Sequence, residues 1–183
     1  SYTAYFTGAW DMKLWKSDFF GNWDNAMGSA VDGDGSESGT LVTSNAQAFQ
    51  SPEACYYTVS IDFYTLSYKW TKLENQTPTE YTYISLAGGF NGWGDTDMTQ
   101  VSNSNTHNWY ISNLEIAEAS EFKFKANHDW TVNWGSDVDL TKTYFGVGAQ
   151  NGSNIVLPAG TYNIYFNDIT GQFVVEAVEA AQL

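Results

Sequence analysis

The chain has 183 residues, 21 of them acidic against seven lysines and no arginine, for a formal net charge of -14. Duplex DNA, RNA and anionic lipid all need a cationic surface, so this balance excludes them as natural partners. The lone cysteine, Cys55, excludes an internal disulfide, a cysteine-based metal site and a redox pair.

Folding is well supported, since 43% of residues are hydrophobic and only 15% charged. The length allows one large domain or two small ones, each with its own core. Aromatic residues reach 17%, including 8 Trp and 12 Tyr, more than cores of this size need, which leaves rings for an amphipathic contact surface. No apolar run approaches the ~20 residues that span a bilayer. Residues 1–10 lack a basic start followed by an apolar run, so any export signal or anchor is expected outside this chain.

In chain order, "GAWDMKLWKSD" (8–18) supplies Trp10, Trp15 and Lys16 as contact candidates. In "VDGDGSES" (31–38), Asp32, Asp34 and Ser36 alternate like the start of an EF-hand loop. Glu37 stands where such a loop needs glycine and Thr43 where it needs glutamate, so the stretch reads as an acidic turn and no metal is expected. "SPEACYYTVSIDFYTLSYKW" (51–70) reads as a strand hairpin, and the polar "KLENQTPTE" (72–80) as a linker. Beyond it, short strand signals recur at 81–87, 108–114, 121–126, 160–167 and 173–178. "LEIAEASE" (114–121) has some helical character but is too short to form a helix on propensity alone. The pattern predicts an all-β chain.

The two sides of the linker also resemble each other. Residues 51–70 align with 157–175, and "NWDNAMGSAVD" (22–32) with "DWTVNWGSDVD" (129–139). Trp23 then falls on Trp130, Met27 on Trp134, Gly28 on Gly135 and Asp32 on Asp139. A repeat of this kind predicts two copies of one architecture, at 1–74 and 80–183, the first smaller and more divergent. With no long helix to cover a parallel sheet, antiparallel β-sandwiches are the expected form.

The chemistry gathers at "EFKFKANHDWTVNWG" (121–135). Alternation turns Phe122 and Phe124 inward and puts Lys123 and Lys125 on the other face, which leads to Trp130 and Trp134. Exposed rings beside amino groups suit a neutral glycan, whose C–H faces stack on indoles and whose hydroxyls take hydrogen bonds. The same Phe-Lys alternation also serves solubility alone. Trp130 is retained in both copies and so reads first as scaffold and second as a third plate for the sugar, whereas Trp134 reads as the stronger contact. Trp93, in the glycine-bounded turn of "ISLAGGFNGWGDTD" (84–97), is either presented to ligand or folded over the sandwich end. His107 and His128 serve no nucleophile elbow or zinc helix, and no carboxylate pair stands in a catalytic motif, so no enzyme and no cofactor is expected.

Three blocks in order carry a family resemblance: the Gly-Phe-Asn-Gly-Trp turn, the Phe-Lys-Phe-Lys strand with its Asn-Trp-Gly loop, and the "GSNIVLPAGTYNIYFNDITGQFVVE" hairpin (152–176). Residues 81–178 resemble the repeated C-terminal domains of SusE/SusF outer-membrane starch-binding proteins, and residues 19–42 a divergent member. The resemblance implies tandem immunoglobulin-like β-sandwiches at the bacterial cell surface, held by an anchor outside this chain. It further implies non-catalytic binding of a polysaccharide, an α-glucan first, alongside outer-membrane glycan-uptake proteins. Trp93 and Trp134 would be its aromatic pair, with Asn154 and Asn151 as polar contacts. In the first copy the turn has become Gly-Ala-Trp-Asp and Met27 replaces the loop tryptophan, which predicts weaker binding or a spacer. The rival reading is a structural spacer or protein-interaction module whose aromatics form protein interfaces.

Overall fold

The computed structural model describes residues 1–9, 12–102 and 105–178; Trp10, among the sequence candidates, lies outside them. The described chain is all-β with antiparallel sheets and divides into two compact units, Ser1–Thr77 and Pro78–Leu183.

In the first unit β1 (Tyr2–Phe6), β2 (Ser38–Thr40), β3 (Cys55–Asp62) and β4 (Ser67–Lys72) form one sheet in the order β1-β3-β4-β2. Alternation along β3 buries Cys55, Tyr57 and Val59, which pack with Leu41, Phe49, Tyr68 and Trp70. Asp62 closes the β3–β4 turn by accepting from the backbone N–H groups of Tyr64 and Thr65. Outside this sheet, isolated bridges pair Leu14 with Met27, Met12 with Phe49 and Ser29 with Gln47. Asp34 faces inward: it accepts from Ser29 Oγ (2.7 Å), Ser36 N (3.0 Å) and Tyr68 Oη (2.8 Å). Those bonds hold its carboxyl well below the usual range, while burial, and then Asp34 itself, pushes the Tyr68 phenol up to about 12. The carboxylate of the EF-hand-like stretch is thus an internal acceptor that ties a turn to the core.

The second unit stacks two sheets. One contains β5 (Ile84–Gly88), β6 (Thr96–Asp97), β9 (Ser120–Ala126), β10 (Asp129–Gly135) and β12 (Ala149–Gln150), ordered β12-β10-β9-β5-β6, with β13 (Ile155–Leu157) also on β9. The other contains β7 (Thr99–Ser102), β8 (Asn105–Ile116), β11 (Phe145–Val147), β14 (Gly160–Asn167) and β15 (Gln172–Ala177), ordered β11-β15-β14-β8-β7. The stretch 114–121 has no helix; it ends β8 and begins β9. Phe124 of the first sheet stacks on Phe166 of the second at 4.1 Å and 10°, and Leu86, Phe122, Ile155, Ile164 and Phe173 complete the core between them.

A buried polar cluster ties the start of this unit to its second sheet. His107 Nδ1 lies 2.6 Å from Asp168 Oδ1 and its Nε2 3.1 Å from Glu80 Oε1, while Trp109 Nε1 donates to Asp168 Oδ2 at 2.7 Å. Burial acts to lower the His107 pKa, but the Asp168 hydrogen bond and charge, with Glu80, carry it above the ordinary imidazole value.

Candidate functional site

The repeat seen in the sequence reappears as register. Phe124 pairs with Trp134 across β9 and β10, and Leu14 bridges Met27 in the first unit. Gly135 and Gly28 follow, and each lies against a carbonyl where a Cβ would not fit: 2.0 Å from Ser153 O and 2.1 Å from Gln47 O. Trp134 and Met27 therefore hold the same kind of core position.

This overturns the expectation that Trp134 is an exposed plate. It is 8% exposed, with its ring set edgewise against Phe166 (5.2 Å) and Tyr81 (5.7 Å). Trp130, which retention in both copies marked as scaffold, is instead 43% exposed. The reason is a break in register: Asp129 pairs with Ala126, but Asn133 already pairs with Lys125, so residues 130–132 bulge from β10 without register partners on β9. Strand alternation from Phe124 places Trp134, while the bulge frees Trp130.

Trp93 meets Trp130 on this side of the sheet. Its backbone sits at φ 64°, in the left-handed region, and its N–H bonds Gly88 O at 2.7 Å. Asn91 pins the turn by donating to Leu86 O and Thr96 Oγ1 and accepting from Gly88 N. The ring is 38% exposed and lies 6.0 Å from the Trp130 ring at 50°. Two indoles tilted by this angle make a bent rather than a flat platform.

Lys123 and Lys125 do share the non-core face of β9, opposite the buried Phe122 and Phe124. The expectation that this face is open to solvent fails for Lys125, which is 3% exposed. Its ammonium is 2.9 Å from Asp95 Oδ1 and 4.7 Å from the centre of the Trp130 ring. Ser85, paired with Lys125 across β5 and β9, donates to the same Asp95 oxygen at 2.7 Å. Burial works to raise the Asp95 pKa, but the Lys125 and Ser85 hydrogen bonds and the Lys125 charge outweigh it and hold the carboxyl below its ordinary value. Lys123, half-buried, donates to Asn133 Oδ1 at 3.1 Å, and the Asn133 amide donates to Trp130 O and Asn151 Oδ1. Asn154 donates to Glu121 Oε2 at 3.0 Å. Of the sequence candidates, Trp93, Trp130, Lys123 and Lys125 come together; Trp134 is core, and Asn154 is engaged with Glu121. Asp95 and Asn133 were missed, because an acid after a glycine turn and an Asn in a strand look like ordinary turn and edge residues.

The first unit carries a second arrangement of the same kind. Trp15 lies 4.9 Å from Trp23 and 5.7 Å from Phe20, both edge-on, and its Nε1 donates to Asn22 O. The Lys13 ammonium sits 5.3 Å above the Trp23 ring, matching Lys125 over Trp130. Trp23 is 67% exposed and edges an open groove of about 270 Å³ whose other residues include Ser44, Asn45 and Gln47. The sequence points to Lys16, whereas the structure places Lys13, next to the Leu14–Met27 bridge, over the ring.

Residues 3–72 match the family described as SusF, first starch-specific carbohydrate-binding module. Over 169 residues, 85% of this chain, the sequence is 29% identical to the outer membrane protein SusF of Bacteroides thetaiotaomicron. The chain spans about a third of that relative, 33% of its length. The crystal structure of SusF from the same organism aligns with 97% of this chain and 42% of its own at 19% identity, with a TM-score of 0.42.

Proposed function

Because the chain is SusE/SusF-like, we propose that it binds starch-type α-glucan without catalysis, through one aromatic site in each of two tandem immunoglobulin-like β-sandwich units. The observation that carries this reading is the recurrence, in both units, of an exposed indole with a second indole beside it, edge-on in the first unit and tilted in the second, and a lysine ammonium over its face. Conserving a fold needs buried rings; it does not need the same ring pair and cation repeated at the surface of each copy. The site in the first unit lies within the stretch that matches a starch-specific module, which favours a binding role there over a spacer. The bent platform of the second site suits the curved face of an α-1,4 chain better than an extended β-linked one.

Trp93 and Trp130 stack successive sugars in the second unit, and Lys123, held by Asn133, is the amino group placed to donate to hydroxyls. Trp23, Trp15 and Phe20 do the same in the first. Each stacked ring contributes on the order of 1–3 kcal/mol, by analogy with base stacking, which puts a two-ring site in the micromolar to millimolar range. Two linked sites raise the avidity for a long chain by up to roughly 10²–10⁴. SusF is an outer membrane protein, and by that likeness the chain works at the outer-membrane surface of a glycan-uptake system.

The test is affinity electrophoresis in gels containing amylopectin, pullulan, a soluble cellulose derivative or inulin. Retardation by the α-glucans, reduced in Trp93→Ala/Trp130→Ala and in Trp15→Ala/Trp23→Ala and lost when the four are combined, supports the reading. Migration unaffected by every polysaccharide would instead favour a spacer, and retardation by cellulose or inulin alone would reassign the ligand.

A further inference from the structure

We propose that the part-exposed Asp95 and the buried Lys125 form a brace that positions the Trp130 ring, so that both are positioning residues for the sugar and neither touches it; this rests on the glycan-binding reading above. Lysines beside aromatic plates are naturally read as donors to hydroxyls. Here the geometry points elsewhere. The Lys125 ammonium is almost wholly withdrawn from solvent, though it stands on the sheet face away from the core. One of its N–H groups faces Asp95 at 2.9 Å, and the charge sits 4.7 Å from the Trp130 ring centre. A sugar cannot approach that side of the indole, because the ammonium already covers it. The ring's other face is the one left for stacking.

The brace is anchored on rigid parts. Ser85, on β5 and fully buried, donates to the Asp95 oxygen that also meets Lys125. Asp95 itself follows the Asn91-pinned turn that presents Trp93. One carboxylate therefore links the segment carrying Trp93 to the lysine beneath Trp130, and sets the spacing of the two plates. Asn133 adds a second restraint by holding the Trp130 carbonyl in the bulge. The bulge gives Trp130 no strand partner, so these contacts are what fix the ring before ligand arrives, and a fixed ring loses less freedom on binding.

The first unit supplies an internal comparison. Lys13 lies over Trp23 at 5.3 Å, but among the described residues no carboxylate pairs with it, and Trp23 is more exposed than Trp130. It is the unbraced form of the same arrangement.

The experiment uses the full chain with Trp15→Ala/Trp23→Ala to silence the first site, and titrates maltoheptaose by calorimetry. In this background Asp95→Asn, Lys125→Met and the double variant are each expected to weaken binding about tenfold, as the loss of a desolvated cation–π restraint implies. The losses should not add, since all three remove one device. The contribution of Trp130 to the emission, taken as the difference between each protein and its Trp130→Phe counterpart, should shift and become more accessible to acrylamide in all three, a change that a general loss of stability does not produce in folded protein. The double variant leaves no lone buried charge, so it keeps the test valid if either single variant fails to fold. Unchanged or tighter binding by Asp95→Asn would overturn the proposal, because it would mean that a freed ammonium donates directly to sugar. Unchanged binding by Lys125→Met or by the double variant would overturn it too. If Trp93→Ala also leaves the affinity intact, the glycan site itself is misplaced and the brace falls with it; loss in Trp93→Ala with none in Asp95→Asn sinks the brace alone.

Discussion

Replacing Trp134 by alanine separates a scaffold tryptophan from a contact tryptophan. The ring is almost fully buried between the two sheets of the second unit, edge-on to Phe166 at 5.2 Å and 62° and to Tyr81 at 5.7 Å and 85°. Each aromatic pair of this kind is worth ~0.5–1.5 kcal/mol beyond its buried area. Truncating a buried Trp to Ala removes both contacts and leaves a cavity, for a total of about 3–5 kcal/mol. For a unit of this size that should lower the melting transition by at least ~12 °C, at roughly 4 °C or more per kcal/mol. Calorimetric melting of the variant, with glucan titration of the protein that remains folded at low temperature, gives the two readouts. The expected result is a large fall in melting temperature with the glucan affinity of the folded fraction close to that of the parent. Trp130→Ala should do the reverse, since its ring is exposed and lies beside Trp93. A Trp134→Ala protein that melts like the parent but has lost its affinity for glucan would refute the placement of this ring in the core and of Trp130 in the site.

Two further outcomes follow from the buried polar cluster and the repeated glycines. The folded-state pKa of His107 is raised above its ordinary 6.5, so its pairing with Asp168 and Glu80 stabilises the fold fully below that value and is lost as pH rises through the folded pKa. Urea denaturation over that range should show stability falling with rising pH, and His107→Gln should flatten the dependence; an unchanged slope would remove His107 as its source. Gly135→Ala would place a methyl 2.0 Å from Ser153 O and 2.7 Å from Gly152 O, both backbone atoms. A destabilisation of at least ~1–3 kcal/mol is expected from chemical denaturation, because backbone cannot yield as a flexible side chain would.

Alternation, composition and the internal repeat carried the large features. An all-β chain, the inward Phe122 and Phe124 and the equivalence of Gly28 with Gly135 all rest on period and spacing, which are properties of the chain itself. Spacing also singles out Trp93, Lys123, Lys125 and Trp130. Retention of Trp130 opposite Trp23 points to the wrong loop ring as scaffold, because equivalence between the copies does not report the bulge of residues 130–132, which lifts Trp130 out while Trp134 stays in register with Phe124.

What the sequence by itself determined is therefore the class of structure, all-β with alternating strands, because period and composition are properties of the chain itself. What only the tertiary structure decided is which atoms face a ligand. Whether Lys125 meets water or Asp95, and whether an indole is a plate or part of the core, depends on segments thirty or more residues away folding over it. A strand's period fixes the side on which a residue lies; only packing fixes what covers it there.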